Sequence, residues 1–122
     1  MQPDLVQPDS IHSDSVQRLA SVIRLLPGKR EEYLRLHADP WPEVMATLKR
    51  VGVSNYSIFL HGDLLFSYLE YSGESWQNAQ AEIARDPHTQ AWWAQTDPCQ
   101  TPVQGALPGE WWSAMKPVFL LE

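Results

Sequence analysis

The sequence predicts a single α+β domain of the ferredoxin-like type, with its elements in the order βαββαβ. Runs of branched and aromatic residues alternate along the chain with segments of helical period. The 122 residues, with 43% hydrophobic content, suffice for one core but not for two ordinary domains. The first fifteen residues show neither period, so we assign 1–17 to a disordered N-terminal tail and 18–122 to the folded domain.

A strand and a helix open the predicted domain. Residues 18–26 are rich in branched apolar side chains and end at Pro27-Gly28, a pair typical of a turn. From residue 29 the period becomes helical and places Tyr33 and His37 on one face. The sequence therefore predicts a buried strand that leads into a helix carrying these two side chains one turn apart.

A bend, a second helix and a hairpin are predicted next. Residues 39–42 include two prolines, which should interrupt the first helix because proline lacks an N–H and restricts the residue before it. An amphipathic stretch then runs to Val51, and Gly52 is suited to end it. Residues 56–60 and 64–71 are two aromatic and branched runs joined by a short turn, as in a β-hairpin.

The second half of the chain predicts two short helices, a loop and a strand. Ser75 can cap a helix over 76–85, and a further short helix covers 89–95. Residues 96–112 have no period and predict a long loop, whereas 117–121 predict a last apolar strand. Because helices on one side of an antiparallel sheet leave its other face apolar, we expect a homodimer formed through that face.

Composition and charge argue against several classes of partner. Nine Lys and Arg stand against fifteen Asp and Glu, the net charge is -6, and the basic residues do not cluster, so nucleic acid is not expected. No apolar run approaches the roughly 20 residues of a membrane-spanning helix, and the first fifteen residues do not resemble a secretory signal. Cys99 is the single cysteine, which fits a reducing compartment. We therefore expect a cytoplasmic protein without a membrane partner.

Common catalytic motifs are absent from the sequence. It contains no glycine-rich phosphate loop, no G-x-S-x-G and no C-x-x-C. The four histidines, at positions 12, 37, 61 and 88, have no second ligand at the spacing of a zinc or iron site, so no metal site is expected.

Tryptophan is the strongest compositional signal. Six tryptophans occur in 122 residues, and four of them form the adjacent pairs Trp92-Trp93 and Trp111-Trp112. Sugar pockets favour such residues, because an indole face stacks on C–H surfaces while the N–H donates to a hydroxyl. For Trp76 a place in the core is the better interpretation, whereas two adjacent tryptophans cannot both point inward on one helix. The pair Trp92-Trp93 therefore indicates a monosaccharide site.

Four segments together resemble the L-rhamnose mutarotase family. They are Glu31–His37, Trp41–Glu43, Gly52 with Asn55–Ile58, and Gln90–Trp93. The resemblance extends from Leu19 to the C-terminus and implies a dimeric α/β barrel of ferredoxin-like subunits. It also implies that His37 is the proton donor, and that the sugar is held by Tyr33, Tyr56, Trp92 and Trp93.

A member of this family is expected to interconvert the α and β anomers of a 6-deoxyhexose, either L-rhamnose or L-fucose. The reaction opens and closes the sugar ring by acid and base catalysis, so it needs neither a redox cofactor nor a metal. An imidazole suits it, because its pKa near neutrality lets it give and take a proton in one turnover. The sequence departs from the family pattern at residues 38–40 and 109–112, which leaves the choice of sugar open.

Other functions are compatible with the same fold. Dimeric α/β barrels include cofactor-free monooxygenases and haem-binding proteins, in which His37 would ligate iron. The aromatic residues could instead form a non-catalytic sugar-binding module. On the residues alone, His37 is best interpreted as a partly exposed helix residue bonded to a nearby carbonyl, and the surrounding motif favours catalysis.

Overall fold

The computed structural model describes residues 16–122 of the chain. The predicted tail therefore lies outside the described residues except at its last two positions, and the first strand begins at Gln17. The helices and strands follow in the order β1 (Gln17–Leu25), α1 (Arg30–Ala38), α2 (Pro42–Val51), β2 (Val53–His61), β3 (Leu64–Tyr71), α3 (Trp76–Arg85), α4 (Pro87–Thr96), a 3₁₀ turn (Asp97–Cys99), β4 (Gln100–Thr101) and β5 (Ser113–Met115).

The strands form one antiparallel sheet in the order β2-β3-β1-β4, and β5 also pairs with β1. The hairpin of β2 and β3 turns at Gly62 and Asp63, as the sequence predicts. Helices α1 and α2 connect β1 to β2, and α3 and α4 connect β3 to the last edge strand. This connectivity confirms the predicted ferredoxin-like α+β fold.

Alternation along β1 and β3 gives the sheet an inner face that packs against the helices. The inner residues of both strands are buried, whereas their neighbours are only partly buried. Trp76 and Ile83 of α3 pack on this face and belong to the main core cluster, which confirms the structural interpretation of Trp76. The outer-face residues of β1 and β3 remain partly exposed.

Proline and glycine set the boundaries of the first two helices. Asp39 and Pro40 separate α1 from α2, and Pro42 occupies the first turn of α2, where its missing N–H is not needed. Gly52 ends α2 in the left-handed region with a φ of 108°, and its N–H bonds back to carbonyls of the last turn. The predicted bend and C-terminal cap are confirmed.

The last edge of the sheet differs from the prediction. Strands β4 and β5 pair with opposite ends of β1, with Gln100 opposite Leu25 and Met115 opposite Ala20. The two short strands therefore act as one edge strand interrupted by a loop over residues 102–112. The predicted loop over 96–112 was too long, because pairing with the edge of β1 is a tertiary contact that local composition does not show.

The predicted strand over residues 117–121 is wrong. Pro117 has no N–H to donate to a sheet, and β5 already reaches Ala20 near the beginning of β1. Continuing that register would place Val118 opposite Gln17, the first residue of β1, so residues from Phe119 onward have no partner in β1. Val118 and Phe119 are 91% and 78% exposed.

No helix among residues 16–122 has the length and apolar character needed to cross a membrane.

Candidate active site

A pocket opens between the inner face of the sheet and helices α1 and α4. We call it the inner pocket; its cavity measures about 60 Å³. All five residues that the sequence analysis selected lie in its wall, as do residues from β1, β3, the 3₁₀ turn and the last loop. The complete lining is Ser21, Tyr33, His37, Tyr56, Ile58, Ser67, Trp92, Trp93, Thr96, Asp97, Gln100 and Trp112.

His37 lies in the last turn of α1 and is held from three sides. Its Nδ1 is 2.9 Å from the backbone oxygen of Tyr33. The imidazole stacks on the Tyr33 ring at 4.2 Å and meets the edge of Trp92 at 5.3 Å. Because a carbonyl oxygen only accepts, Nδ1 carries the proton in this bond and Nε2 of the neutral ring is the basic nitrogen.

The electrostatics of His37 favour the neutral imidazole. Burial lowers its pKa below the ordinary 6.5, and the hydrogen bond to the Tyr33 carbonyl only partly opposes this effect. His37 is therefore uncharged at neutral pH and can accept a proton at Nε2. It can return that proton later in the same cycle.

Tyr33 lies one turn before His37 and is 2% exposed. Its hydroxyl oxygen accepts a hydrogen bond of 3.1 Å from Nε2 of Gln100. Burial is the main cause that raises the pKa of Tyr33 far above its usual range, so the phenol keeps its proton. Tyr33 therefore offers the pocket a neutral O–H group.

Tyr56 enters the pocket because of a β-bulge in β2. The register with β3 shifts between Ser54 and Ser57, and Asn55 takes a positive φ of 50°. Without the extra residue, strand alternation would place Tyr56 on the outer face of the sheet; the bulge re-aims it inward. Its hydroxyl end is enclosed, which raises its pKa to about 12, although 43% of the residue's surface is exposed.

Helix α4 presents both Trp92 and Trp93 to the pocket. Asp86 caps the helix by accepting from the N–H and the hydroxyl of Thr89 at 2.9 and 2.8 Å, and this fixes the first turn. Trp92 is 9% exposed and its ring meets the edge of Trp41 at 5.2 Å. Trp93 is only partly buried, so one of the pair anchors the helix and the other keeps an accessible surface.

Two serines occupy inward-facing positions of the sheet at the floor of the pocket. Ser21 of β1 and Ser67 of β3 are directly opposite in the sheet and hydrogen-bond through their hydroxyls at 2.6 Å. Both are buried, in strands whose other inner residues are large and apolar. Their small size leaves room above the sheet, and their hydroxyls make that room polar.

Sequence reasoning missed seven of the twelve lining residues, three of which contribute polar or aromatic groups from the end of the chain. Asp97, Gln100 and Trp112 all lie in the segment that was predicted to be a featureless loop. Burial raises the pKa of Asp97, which is the one carboxylate in the pocket lining. The adjacent pair Trp111-Trp112 was a signal for Trp112, whereas no local pattern points to the other two residues.

A larger cleft continues from the inner pocket toward solvent. We call it the outer cleft; it measures about 500 Å³ between α2 and the first half of β2. The two cavities share His37, Tyr56, Ile58 and Trp92. Apolar side chains of α2, among them Val44, form much of the cleft wall. The shared residues are therefore accessible from outside.

No group of three or more His, Cys, Asp or Glu residues within 16–122 is arranged to hold a metal ion.

Fold and site together define a ferredoxin-like α+β protein with an aromatic pocket built around one neutral histidine. The same fold occurs in tetracenomycin F2 cyclase from Streptomyces glaucescens, with a TM-score of 0.59, 21% identity and coverage of 86% of this chain and 96% of that one. At this identity the likeness concerns the fold alone.

Residues 18–121 match the L-rhamnose mutarotase family, and the chain belongs to this family of isomerases. The L-rhamnose mutarotase of Pectobacterium atrosepticum is 34% identical over 113 residues, 86% of this chain and 98% of that protein. That of Listeria monocytogenes is 40% identical over 80 residues, 64% and 74% of the two chains. The crystal structure of an L-rhamnose mutarotase from Formosa agariphila superposes with a TM-score of 0.67 and 28% identity, covering 86% and 98%.

Proposed function

We propose that the protein is a mutarotase that interconverts the α and β anomers of a 6-deoxyhexose. One observation supports this proposal above the others. His37 is neutral, its Nδ1 donates to a backbone carbonyl, and it lines a pocket made mostly of aromatic and polar groups, with Asp97 as the one carboxylate. Such a site suits an uncharged polyol whose conversion requires proton transfer and no change of oxidation state.

Ring opening can be written with the protons and electrons balanced. Nε2 of His37 takes the proton from the anomeric hydroxyl, and the electron pair of that O–H bond forms the carbonyl at C1. The bond between C1 and the ring oxygen breaks toward oxygen, which gains from Nε2 the proton that His37 has just taken, so that His37 is the proton donor of this step and returns to its neutral form. After rotation about C1–C2 the steps run in reverse and close the ring on the other face of the carbonyl.

The aromatic residues are proposed to hold the sugar while it opens. Trp93 keeps accessible ring surface, and the hydroxyls of Tyr33 and Tyr56 are enclosed in the pocket. Indole faces stack on the C–H surface of a pyranose, and phenol groups bond its hydroxyls. These contacts would keep the open aldehyde bound until it closes again.

The sugar is proposed to be L-rhamnose or L-fucose. The names of the relatives favour L-rhamnose. Both sugars carry a methyl group at C6, which suits the apolar wall that Val44 and Leu48 give the outer cleft. They differ in hydroxyl configuration, so the polar lining of the inner pocket would select between them.

The decisive experiment is NMR saturation transfer between the anomeric protons of each sugar, with and without the protein. We expect exchange to be accelerated for at least one sugar. In His37→Asn the acceleration should fall by roughly 10²–10⁴-fold, because an amide cannot shuttle protons at neutral pH. His61→Asn, an exposed histidine in the hairpin, serves as the matched control and should keep the parent rate.

Circular dichroism of each variant shows whether a lower exchange rate comes from the loss of proton transfer or from unfolding. A folded His37→Asn protein that exchanges the anomers at the parent rate would remove His37 as the catalyst. Sugar binding by the parent protein without accelerated exchange would identify a non-catalytic binding module instead.

We also propose that two copies associate through the outer face of the sheet. Phe59 lies there opposite Phe66 and is 65% exposed. Val22 and Ala20 continue the same apolar surface on β1. An exposed apolar surface of this kind indicates a protein partner, and a second copy satisfies it symmetrically.

A further inference from the structure

Gln100 is a buried amide in the wall of the inner pocket, 5% exposed. It lies on β4 opposite Leu25 of β1, so the sheet fixes its backbone. Its side chain reaches from this edge strand to helix α1, where Nε2 donates to the hydroxyl oxygen of Tyr33. Buried polar side chains usually have a hydrogen-bond partner, and the partner of the Gln100 amide is the Tyr33 hydroxyl.

The direction of this bond determines what the Tyr33 hydroxyl can do. A phenol has one O–H to donate and accepts through its oxygen. Because the Gln100 amide occupies an acceptor position of that oxygen, the O–H of Tyr33 remains to donate elsewhere. Tyr33 lines the pocket, so a sugar oxygen bound there would be a suitable acceptor.

We infer that Gln100 is a positioning residue for anomer exchange, whose amide holds the Tyr33 hydroxyl with its O–H directed at the sugar. The inference rests on the proposed mutarotase function. A hydroxyl that rotates freely must be reoriented as charge develops on the sugar, whereas a fixed donor needs no reorganisation. His37 stacks on the same Tyr33 ring at 4.2 Å, so the base and the donor form one packed unit.

The first test replaces Gln100 by methionine, which keeps the length of the side chain and removes the N–H donor. The exchange rate should fall about tenfold, the effect of one neutral hydrogen bond. Gln104→Met changes an exposed glutamine of the last loop in the same way and should leave the rate unchanged. An unchanged rate in Gln100→Met would overturn the inference.

The second test asks whether Gln100 acts through Tyr33. Tyr33→Phe removes the hydroxyl that the amide is inferred to orient. In that background Gln100→Met should cost less than about twofold, because contacting residues that work as a unit are not additive. If the double variant instead loses a further tenfold, Gln100 acts on another group and the inference is wrong.

A third variant keeps the experiment informative should Gln100→Met fail to fold. Gln100→Glu has the same shape but, when ionised, offers only acceptor oxygens and would turn the Tyr33 proton away from the pocket. Its rate should fall at least as far as that of Gln100→Met, and a parent-like rate would overturn the inference. If the parent protein accelerates anomer exchange of neither sugar, the proposed function itself is overturned. If the parent is active and the Gln100 variants exchange the anomers at the parent rate, only this inference is overturned.

Discussion

At the scale of single residues, His37 shows how a weak base is prepared by its surroundings. Its position in the last turn of α1 would favour a positive charge, because helix C-termini carry partial negative charge. Burial between Tyr33 and Trp92 acts in the opposite direction and lowers the pKa of His37 below 6.5. The imidazole therefore rests in the form that can accept a proton.

This balance predicts a pH dependence. Because the pKa of His37 lies below 6.5 in the folded protein, the protein-dependent exchange rate should be constant near neutrality and fall as the pH drops through that lowered pKa. Folding stability changes in the same direction: below pH 6.5 the unfolded chain binds a proton that the folded chain resists, so acid destabilises the fold. Titration of the His37 ring by ¹H–¹³C NMR measures the pKa directly.

Asp97 provides the control for that experiment, because burial raises its pKa and it lines the same pocket. Asp97→Asn should keep the acid limb of the rate profile. Loss of the limb in Asp97→Asn would assign it to the carboxylate rather than to His37.

At the scale of elements, the turn between β3 and α3 depends on a tyrosine folded back over a glycine. The Tyr71 hydroxyl donates to the Ser75 carbonyl at 2.9 Å and accepts from the Ser75 N–H at 3.1 Å. A Cβ at Gly73 would overlap the Tyr71 ring. A side chain at this position would therefore have to displace the Tyr71 ring, whose hydroxyl holds Ser75, the residue that caps α3.

Gly73→Ala should destabilise the protein by about 1–3 kcal/mol, the usual cost of forcing extra volume into a packed site. The midpoint of urea unfolding measures the loss. Glu74→Ala, an exposed neighbour in the same turn, is the control and should shift the midpoint little. Equal midpoints for Gly73→Ala and the parent protein would show that the tyrosine ring can move aside without cost.

Most elements could be predicted because local signals mark their ends. Ser75 caps α3 and Gly52 ends α2 as the sequence indicates. The last edge strand could not be predicted, because Gln100 and Met115 join the sheet only through their pairing with β1. The apolar run after Pro117 resembles a strand by composition, but Pro117 has no N–H to donate and only Val118 would still face β1, at Gln17.

The residues of the candidate site that could be predicted are those marked by a local sequence pattern. Tyr33 and His37 share a helix face, and Trp92-Trp93 is a conspicuous pair. The roles given to these residues come from resemblance to a family and remain predictions. Ser67 and Gln100 had no such signal, because each gains its meaning from a partner more than forty residues away, in Ser21 and Tyr33.

At the scale of the whole molecule, the most exposed apolar side chains apart from Leu107 of the last loop occur at two places. One is the outer face of the sheet, represented by Phe59 at 65% exposure. The other is the C-terminal segment, where Val118, Phe119 and Leu121 are 91%, 78% and 82% exposed. Both surfaces would gain from burial against another chain.

We expect a homodimer in sedimentation experiments at micromolar concentration. Phe59→Asp places a charge on the outer face, in the edge strand β2, and should shift the protein toward monomer, because an unpaired buried charge is costly. Leu107→Asp alters a side chain of similar exposure, 67%, in the last loop and should leave the dimer intact. A parent protein that sediments as a monomer would contradict the proposed assembly.

In the interrupted edge strand, the paired residues of β4 and β5 hold the sheet together, whereas the loop between them shapes the pocket. Strands β4 and β5 anchor the two ends of the loop over residues 102–112 to β1, and Trp112 at its end enters the inner pocket. Residues inserted or deleted between these anchors would reshape one wall without disturbing strand register. Variation in loop length is therefore a route by which descendants of this sequence could acquire new sugar preferences, and directed evolution of specificity should begin there.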